Sequence, residues 1–311
     1  MQAIVVTAFD RPPEWQDIED PRPNEGEVVV RMIAAALHPR VRSQASGSHY
    51  TSEGVLPLVP GVDGVARFPD GTTRYVAIGS DVRGSFAERV AVDPRASVVL
   101  PDGADPAEVA AAVNPVMSSW VALRRRITMP ADATVLVLGA TGIAGGSAVR
   151  VAKRLGAAHV VASGRNPERL AALAGYGADE TIPLADTARI GETAAEADVV
   201  LDYLWGVPAA DTMRAIVTAR RDRAARLDWV SIGSSAGAES PIPSAALRAS
   251  GLTVVGSGQG SVGRSAFVAE LPSIVEAIAD GLTVPVRTVG AEDVASAWTD
   301  ADAATRTVFT F

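Results

Sequence analysis

Cysteine is absent from the chain, which excludes disulfides and thiolate metal sites and, with them, a secreted disulfide scaffold. Histidine is nearly absent too: His38, His49 and His159 are too few to build a closed or catalytic zinc site, so no metal is expected. No apolar run approaches the roughly 20 residues that a membrane span needs. Met1 to Asp10 lacks the basic start and apolar core of a signal peptide, so a cytoplasmic protein with no membrane partner is expected. A basic surplus is also missing: Lys and Arg total 28 against 36 Asp and Glu, a formal charge of -8, which would repel nucleic acid phosphates. The short basic runs Arg124–Arg126 and Arg220–Arg226 are expected to be solvated helix faces.

What is present suits an ordinary globular protein, with 48% apolar and 21% charged residues. A length of 311 residues suggests two domains. The first part reads as β-rich, with short runs at Gln2–Ala8, Glu27–Ile33, Arg74–Ala77 and Glu88–Val92 broken by Pro and Gly turns, as in a small barrel-like domain. From about Ser118 the rhythm changes to buried strands alternating with amphipathic helices. Strands are predicted at Thr134–Leu138, His159–Ser163, Glu180–Ile182, Asp198–Tyr203, Leu227–Ile232 and Leu252–Gly256. Such alternation implies an α/β fold, a doubly wound parallel sheet of six strands covered on both faces. The tail holds β runs at Thr283–Val289 and Arg306–Phe311 around a helix near Ala291–Thr299, and is expected to complete the first domain. The predicted division is therefore 1–117 with 282–311, and 118–281.

The most informative segment is Val135-Leu136-Val137-Leu138 running into Gly139-Ala140-Thr141-Gly142-Ile143-Ala144-Gly145, followed by helically spaced Ala148, Val151, Ala152 and Leu155. Strand, glycine turn and helix in this order make a dinucleotide site. A side chain at the turn would keep a pyrophosphate from the backbone N–H groups and the positive end of the helix. Gly142 should be the position of closest approach. The next strand ends in Ser163-Gly164-Arg165-Asn166 with no carboxylate to bind a ribose 2′-hydroxyl, and Arg165 suits a 2′-phosphate, so NADPH is the expected cofactor. Arg165 also reads as a surface residue of a helix-capping loop, since Asn166-Pro167-Glu168 is a good helix start. Lys153 is a second candidate for the same phosphate, or a solvated lysine.

These features, with Gly26-Glu27-Val28-Val29-Val30-Arg31, Pro60-Gly61-Val62-Asp63-Gly64-Val65, Gly84-Ser85-Phe86-Ala87-Glu88-Arg89-Val90, Asn114–Leu123 and Ala197–Asp202, span nearly the whole chain. The sequence resembles the medium-chain dehydrogenase/reductase superfamily, in its zinc-independent quinone oxidoreductase branch. The resemblance implies a GroES-like β-barrel catalytic domain, a Rossmann domain, and a cleft between them. It implies that Ser118 lies near the nicotinamide and that Leu204, Trp205 and Gly206 form the loop under the cofactor ribose. Ser231, Ile232, Gly233, Ser257 and Gly258 either approach the nicotinamide end or are ordinary strand-end turns. Where the family tends to carry Asn-Pro-x-Asp, this chain reads His38-Pro39-Arg40-Val41, which puts the quinone pocket in doubt.

Without a metal, a saturated ketone would need a strong proton donor, whereas a quinone or enone gives a delocalised anion on reduction. The expected reaction is hydride transfer from NADPH to a quinone or α,β-unsaturated carbonyl, with His38 or Tyr50 hydrogen-bonding the acceptor oxygen. A lone histidine is also often structural. The rivals are a non-catalytic NADPH-binding sensor or structural protein and a zinc-free alcohol or enoyl reductase. The apolar run Leu252–Gly256 would leave an exposed sheet edge, so a homodimer is expected.

Overall fold

The computed structural model of the chain describes residues 1–300, 302 and 304–311. They form two compact units, residues 1–114 with 268–311 and residues 115–267.

In the first unit, β1 (Gln2–Val5) pairs antiparallel with β2 (Glu14–Asp17). The unit's main sheet is organised by the ten-residue β3 (Val28–Leu37), which is followed by the short helix α1 (Pro39–Ala45). Next come β4 (Asp63–Arg67), β5 (Thr73–Ala77), β6 (Arg89–Val92) and β7 (Ser97–Val99). β3 pairs β6 over Val28–Arg31, then meets β4 across an irregular step between Met32 and Ala34. Gly64 sits at that step, where an added Cβ would lie 2.7 Å from both the Ala34 carbonyl oxygen and the Met32 methyl. This close approach excludes any larger residue.

α2 (Pro106–Val121) runs into the second unit and ends in a π-helical turn, Ala122–Arg126. There β8 (Thr134–Leu138), α3 (Ile143–Arg154), β9 (His159–Gly164), α4 (Pro167–Ala172) and β10 (Glu180–Pro183) make one wing. α5 (Thr187–Thr193), β11 (Val199–Asp202), α6 (Gly206–Ala219), β12 (Arg226–Ser231), α7 (Ser244–Arg248), β13 (Gly251–Gly256) and α8 (Arg264–Val268) make the other. The six strands are parallel in the order β10-β9-β8-β11-β12-β13, the doubly wound arrangement, whose direction of winding reverses between β8 and β11. The four inner strands β9, β8, β11 and β12 are almost wholly buried, which is why they read as apolar runs. Leu136, Leu138, Ile182, Ile190, Met213 and Trp229 are all fully buried in this core.

The chain then returns to the first unit with α9 (Leu271–Ala279), β14 (Val286–Gly290), α10 (Val294–Thr299) and β15 (Arg306–Thr310). β15 pairs antiparallel with β3 over Ala34–Leu37 and parallel with β14. Phe309 packs edge-to-face on Phe86 at 5.2 Å between ring centroids.

Of the two basic runs, Arg124 and Arg125 are exposed in the helical turn Ala122–Arg126 as expected, whereas Arg220–Arg226 is not a solvated helix face. Residues 220–225 lie outside any helix, and the Arg220 guanidinium is buried, donating to the carbonyls of Ala195, Ala197, Ala225 and Arg226. Arg126 is half-buried and donates to the carbonyls of Gly256 and Ser261. In both cases backbone carbonyls in loops and at strand ends take a donor from a side chain, and a guanidinium supplies several at once.

Candidate functional site

The turn after β8 uses its glycines in three ways. Gly139 is left-handed, with φ 83°, and its N–H and that of Ala140 both donate to the Ser163 carbonyl, which ties the ends of β8 and β9 together. Gly145 lets the helix sit on the turn, because a Cβ there would come within 2.3 Å of the Gly139 carbonyl oxygen. Gly142 is different: its Cβ would meet only the Gly139 oxygen at 3.6 Å, so the space over it is open. Gly142 is also the N-cap of α3, and no side chain caps that end. The first-turn amides of Ile143, Ala144 and Gly145 thus begin a 12-residue helix whose positive end faces open space, a cradle that fits a pyrophosphate.

Beyond β9, Gly164 lies under Thr141, whose Oγ1 would be 2.7 Å from an added Cβ. Asn166 caps α4 by accepting from the Arg169 N–H, and Arg165 is exposed. Ser163 Oγ is buried without a hydrogen-bond partner. Arg169, which the sequence reading missed, reaches back to the Thr141 carbonyl at 3.4 Å and so adds a second cation beside the turn. Its only signal was its place four residues after Arg165. Lys153 must be removed from this group. It lies in the last turn of α3, away from the glycine turn, and its ammonium binds the Asp179 carboxylate at 2.6 Å and the Ala158 carbonyl.

At the winding reversal, Asp202 ends β11 and is fully buried. Its Oδ1 accepts the N–H groups of Leu204 and Trp205, and its Oδ2 accepts the Trp229 indole N–H at 3.0 Å. Burial pushes its carboxyl above the usual range, and these three donors pull the other way. The turn it holds is tight: Trp205 is left-handed at φ 54° and Gly206 at φ 66°. Leu204 lies against Gly139, with Cδ2 3.0 Å from where a Cβ would be. Ile232 and Gly233 donate to the Asp202 carbonyl, and Ser257 N–H donates to the Ser231 carbonyl, so the ends of β11, β12 and β13 are laced together. Gly258 N–H donates to Ser261 Oγ. Ser118 Oγ stands 2.9 Å from the Tyr203 hydroxyl.

In the first unit His38 is 1% exposed, with Nε2 3.4 Å from Asp63 Oδ1, while the Tyr75 hydroxyl donates to Asp63 Oδ2 at 3.0 Å. Burial lowers the His38 pKa, opposed by Asp63. Arg306 is buried beside this group, donates to the Leu37 carbonyl, and is lowered to about 10, chiefly by burial. A carboxylate only accepts, so Nε2 carries the His38 proton and Nδ1, which has no partner, is an acceptor. The role expected for His38, donating to an acceptor oxygen, is therefore not the one this geometry supports. Tyr50 is 73% exposed on a loop and stacks on His49 at 4.2 Å.

A doubly wound sheet with an open glycine turn and an uncapped helix end at its winding reversal defines a dinucleotide-binding domain. The profile of the zinc-binding dehydrogenase family matches residues 144–280. The chain is 31% identical to the "Probable NADPH-dependent quinone reductase tdiC" of Emericella nidulans, over 97% of each chain. It is 29% identical to an acryloyl-coenzyme A reductase of Metallosphaera sedula, over 68% of this chain and 72% of that one. Among solved structures, the quinone oxidoreductase of Thermus thermophilus, described also in complex with NADPH, matches over all of both chains with a TM-score of 0.83 and 26% identity. The chain belongs to the medium-chain dehydrogenase/reductase superfamily, in its quinone oxidoreductase-like branch.

The zinc in the family's name does not fit these residues. The chain lacks cysteine, and among the described residues no three His, Cys, Asp or Glu side chains gather to hold a metal. In the first unit His38 and Asp63 form a donor pair, but the Arg306 guanidinium, close enough to depress His38, would repel a cation.

Proposed function

We propose that the chain is an NADPH-dependent oxidoreductase that reduces a quinone or an α,β-unsaturated carbonyl compound. The carrying observation is the open approach over Gly142 at an uncapped helix end, with Arg165 and Arg169 beyond the next strand and no carboxylate at that strand's end. NADPH, when bound, supplies the hydride. The amides of Ile143 to Gly145 hold its pyrophosphate, and Arg165 and Arg169 neutralise the 2′-phosphate. Leu204, Trp205 and Gly206 lie under the ribose, with Ser118, Ser231–Gly233 and Ser257–Gly258 toward the nicotinamide. Tyr50 is the donor assigned to the acceptor oxygen, because its phenol is exposed while His38 offers only a buried acceptor.

On this reading the unit of residues 115–267 is the nucleotide domain and that of residues 1–114 with 268–311 the catalytic domain, so that residues 268–281, expected in the nucleotide domain, fall in the catalytic one. β13, with Leu252 to Gly256, is the edge of the six-stranded sheet, and pairing two such edges would give a homodimer. A cytoplasmic location accords with the lack of cysteine. Among the described residues no helix is long and apolar enough to cross a membrane.

The test is NADPH and NADH oxidation with a panel of quinones, 2-alkenals and cyclic enones. Turnover with NADPH preferred is expected, and Arg165→Ala should weaken NADPH about 10-fold while leaving NADH unchanged. Tight NADPH binding without turnover on the whole panel would instead mark a non-catalytic NADPH-binding protein. A single-chain mass by light scattering at micromolar concentration would remove the dimer.

A further inference from the structure

Tyr203 is the first residue after β11 and stands at the winding reversal, where crossed halves of a doubly wound sheet receive a dinucleotide. Four links fix it there. Its N–H donates to the Leu138 carbonyl at 3.1 Å, and its Cβ lies 3.3 Å from where a Cβ on Gly139 would be. Its carbonyl accepts the Ser235 hydroxyl at 2.9 Å, and its own hydroxyl meets Ser118 Oγ. Glycine turn, β8, the loop after β12 and helix α2 all converge on this one residue.

The Ser118 hydroxyl has a single proton, and it is directed to the Pro115 carbonyl at 2.7 Å. With the Ser118 proton on Pro115 and the Ser119 hydroxyl, the phenol's other neighbour, donating to the Val116 carbonyl, the 2.9 Å contact has the phenol donating to Ser118 Oγ. Desolvation pushes the phenol up to about 12, so it keeps that proton at neutral pH. Ser118 is left with one lone pair and nothing to donate. The half of a dinucleotide that lies over β8 and β9 is the adenosine half, since Arg165 and Arg169 follow β9. The half over β11 and β12 is therefore the nicotinamide half, whose donors are the carboxamide N–H and the ribose hydroxyls.

We propose that Tyr203 is a positioning residue that fixes the Ser118 hydroxyl as a hydrogen-bond acceptor for a donor on the nicotinamide half of the cofactor. This rests on the nucleotide site proposed above. With Tyr203→Phe the ring, the Cβ packing on Gly139 and the Ser235 contact all remain, and what is lost is the hydroxyl with its contacts to Ser118 and Ser119.

Calorimetry on the full chain tests it with NADPH and with 2′,5′-ADP, which lacks the nicotinamide half. Tyr203→Phe should weaken NADPH about 3- to 10-fold and leave 2′,5′-ADP within about twofold, as one hydrogen bond requires. Ser118→Ala should do the same, and the double variant should be no worse than either single one. An NADPH analogue with an acetyl group in place of the carboxamide distinguishes the two donors. If wild type binds it as weakly as the Phe variant binds NADPH, the carboxamide N–H is the partner; if wild type binds it as NADPH, a ribose hydroxyl is. Equal weakening of NADPH and 2′,5′-ADP, or an unchanged NADPH affinity in Tyr203→Phe beside a wild type that binds, overturns this inference alone. A wild type that binds neither ligand overturns the nucleotide site and this inference with it.

Discussion

Asp202 in the second unit and Asp63 in the first are both buried carboxylates at the end of a strand, yet their partners differ in kind. Asp202 takes two backbone N–H groups and an indole N–H, and Arg220 in the same unit serves four backbone carbonyls. Asp63 takes a phenol and an imidazole, and the cluster it centres leaves His38 Nδ1 and Arg306 Nε without partners. Buried polarity in the second unit fixes the path of the chain around a cofactor cradle made of backbone. In the first unit it fixes side chains against one another.

The contrast can be broken most directly at Arg220. Arg220→Met should cost at least about 3 kcal/mol in urea unfolding, because several loop carbonyls would lose their donor at once. A loss below about 0.5 kcal/mol would mean that the guanidinium is not what holds residues 195–197 and 225–226. Gly142→Ala sharpens the comparison from the other side, since the added methyl meets only one atom of the protein. Its melting temperature should match wild type while NADPH affinity falls at least 10-fold, about 1.4 kcal/mol. Gly145→Ala, whose methyl would sit 2.3 Å from a carbonyl oxygen, should instead lose the fold of the turn.

The smallest effect belongs to the first unit. Burial holds the His38 pKa below its ordinary value of 6.5, so the unfolded chain takes up the proton first as the pH falls. His38 therefore lowers stability progressively from about pH 6.5 down to its folded-state pKa, by up to about 1.4 kcal/mol per pH unit. His49, lowered to about 4 by desolvation and then by Arg40, acts in the same sense over pH 6.5 to 4 but is partly solvated and counts for less. Melting curves from pH 7 to 5 should fall less steeply in His38→Gln than in wild type. Parallel curves would show that the imidazole is not kept neutral by burial.

The second unit was the more legible of the two because its strands are buried on both faces, so that Thr134–Leu138 or Leu227–Ile232 announce themselves by composition alone. β2, β4 and β7 did not. β2 carries Glu, Gln and Asp, β4 carries Asp63 and Gly64, and β7 has three residues, so each is placed by its neighbours and not by its own pattern. The same holds for side chains. The glycine turn and Arg165 lie within one contiguous stretch and could be read from spacing. His38 could be singled out as a rare residue type and by its place in the family's pattern, but not by its partners, because Asp63 is 25 residues away and Arg306 bonds the adjacent Leu37 from 269 residues along the chain. Tyr203 adjoins residues that the sequence marked, but its task depends on Ser118, 85 positions earlier.

Lys153, held by Asp179 in the last turn of α3, is the chain's single lysine. Apart from the amino terminus, amine-directed chemistry thus has one address, roughly 16 Å by helix rise from Gly142. A fluorophore attached there would stand at a fixed, short remove from the nucleotide turn without entering it. Energy transfer from a bound reduced coenzyme could then be followed with no engineered attachment point.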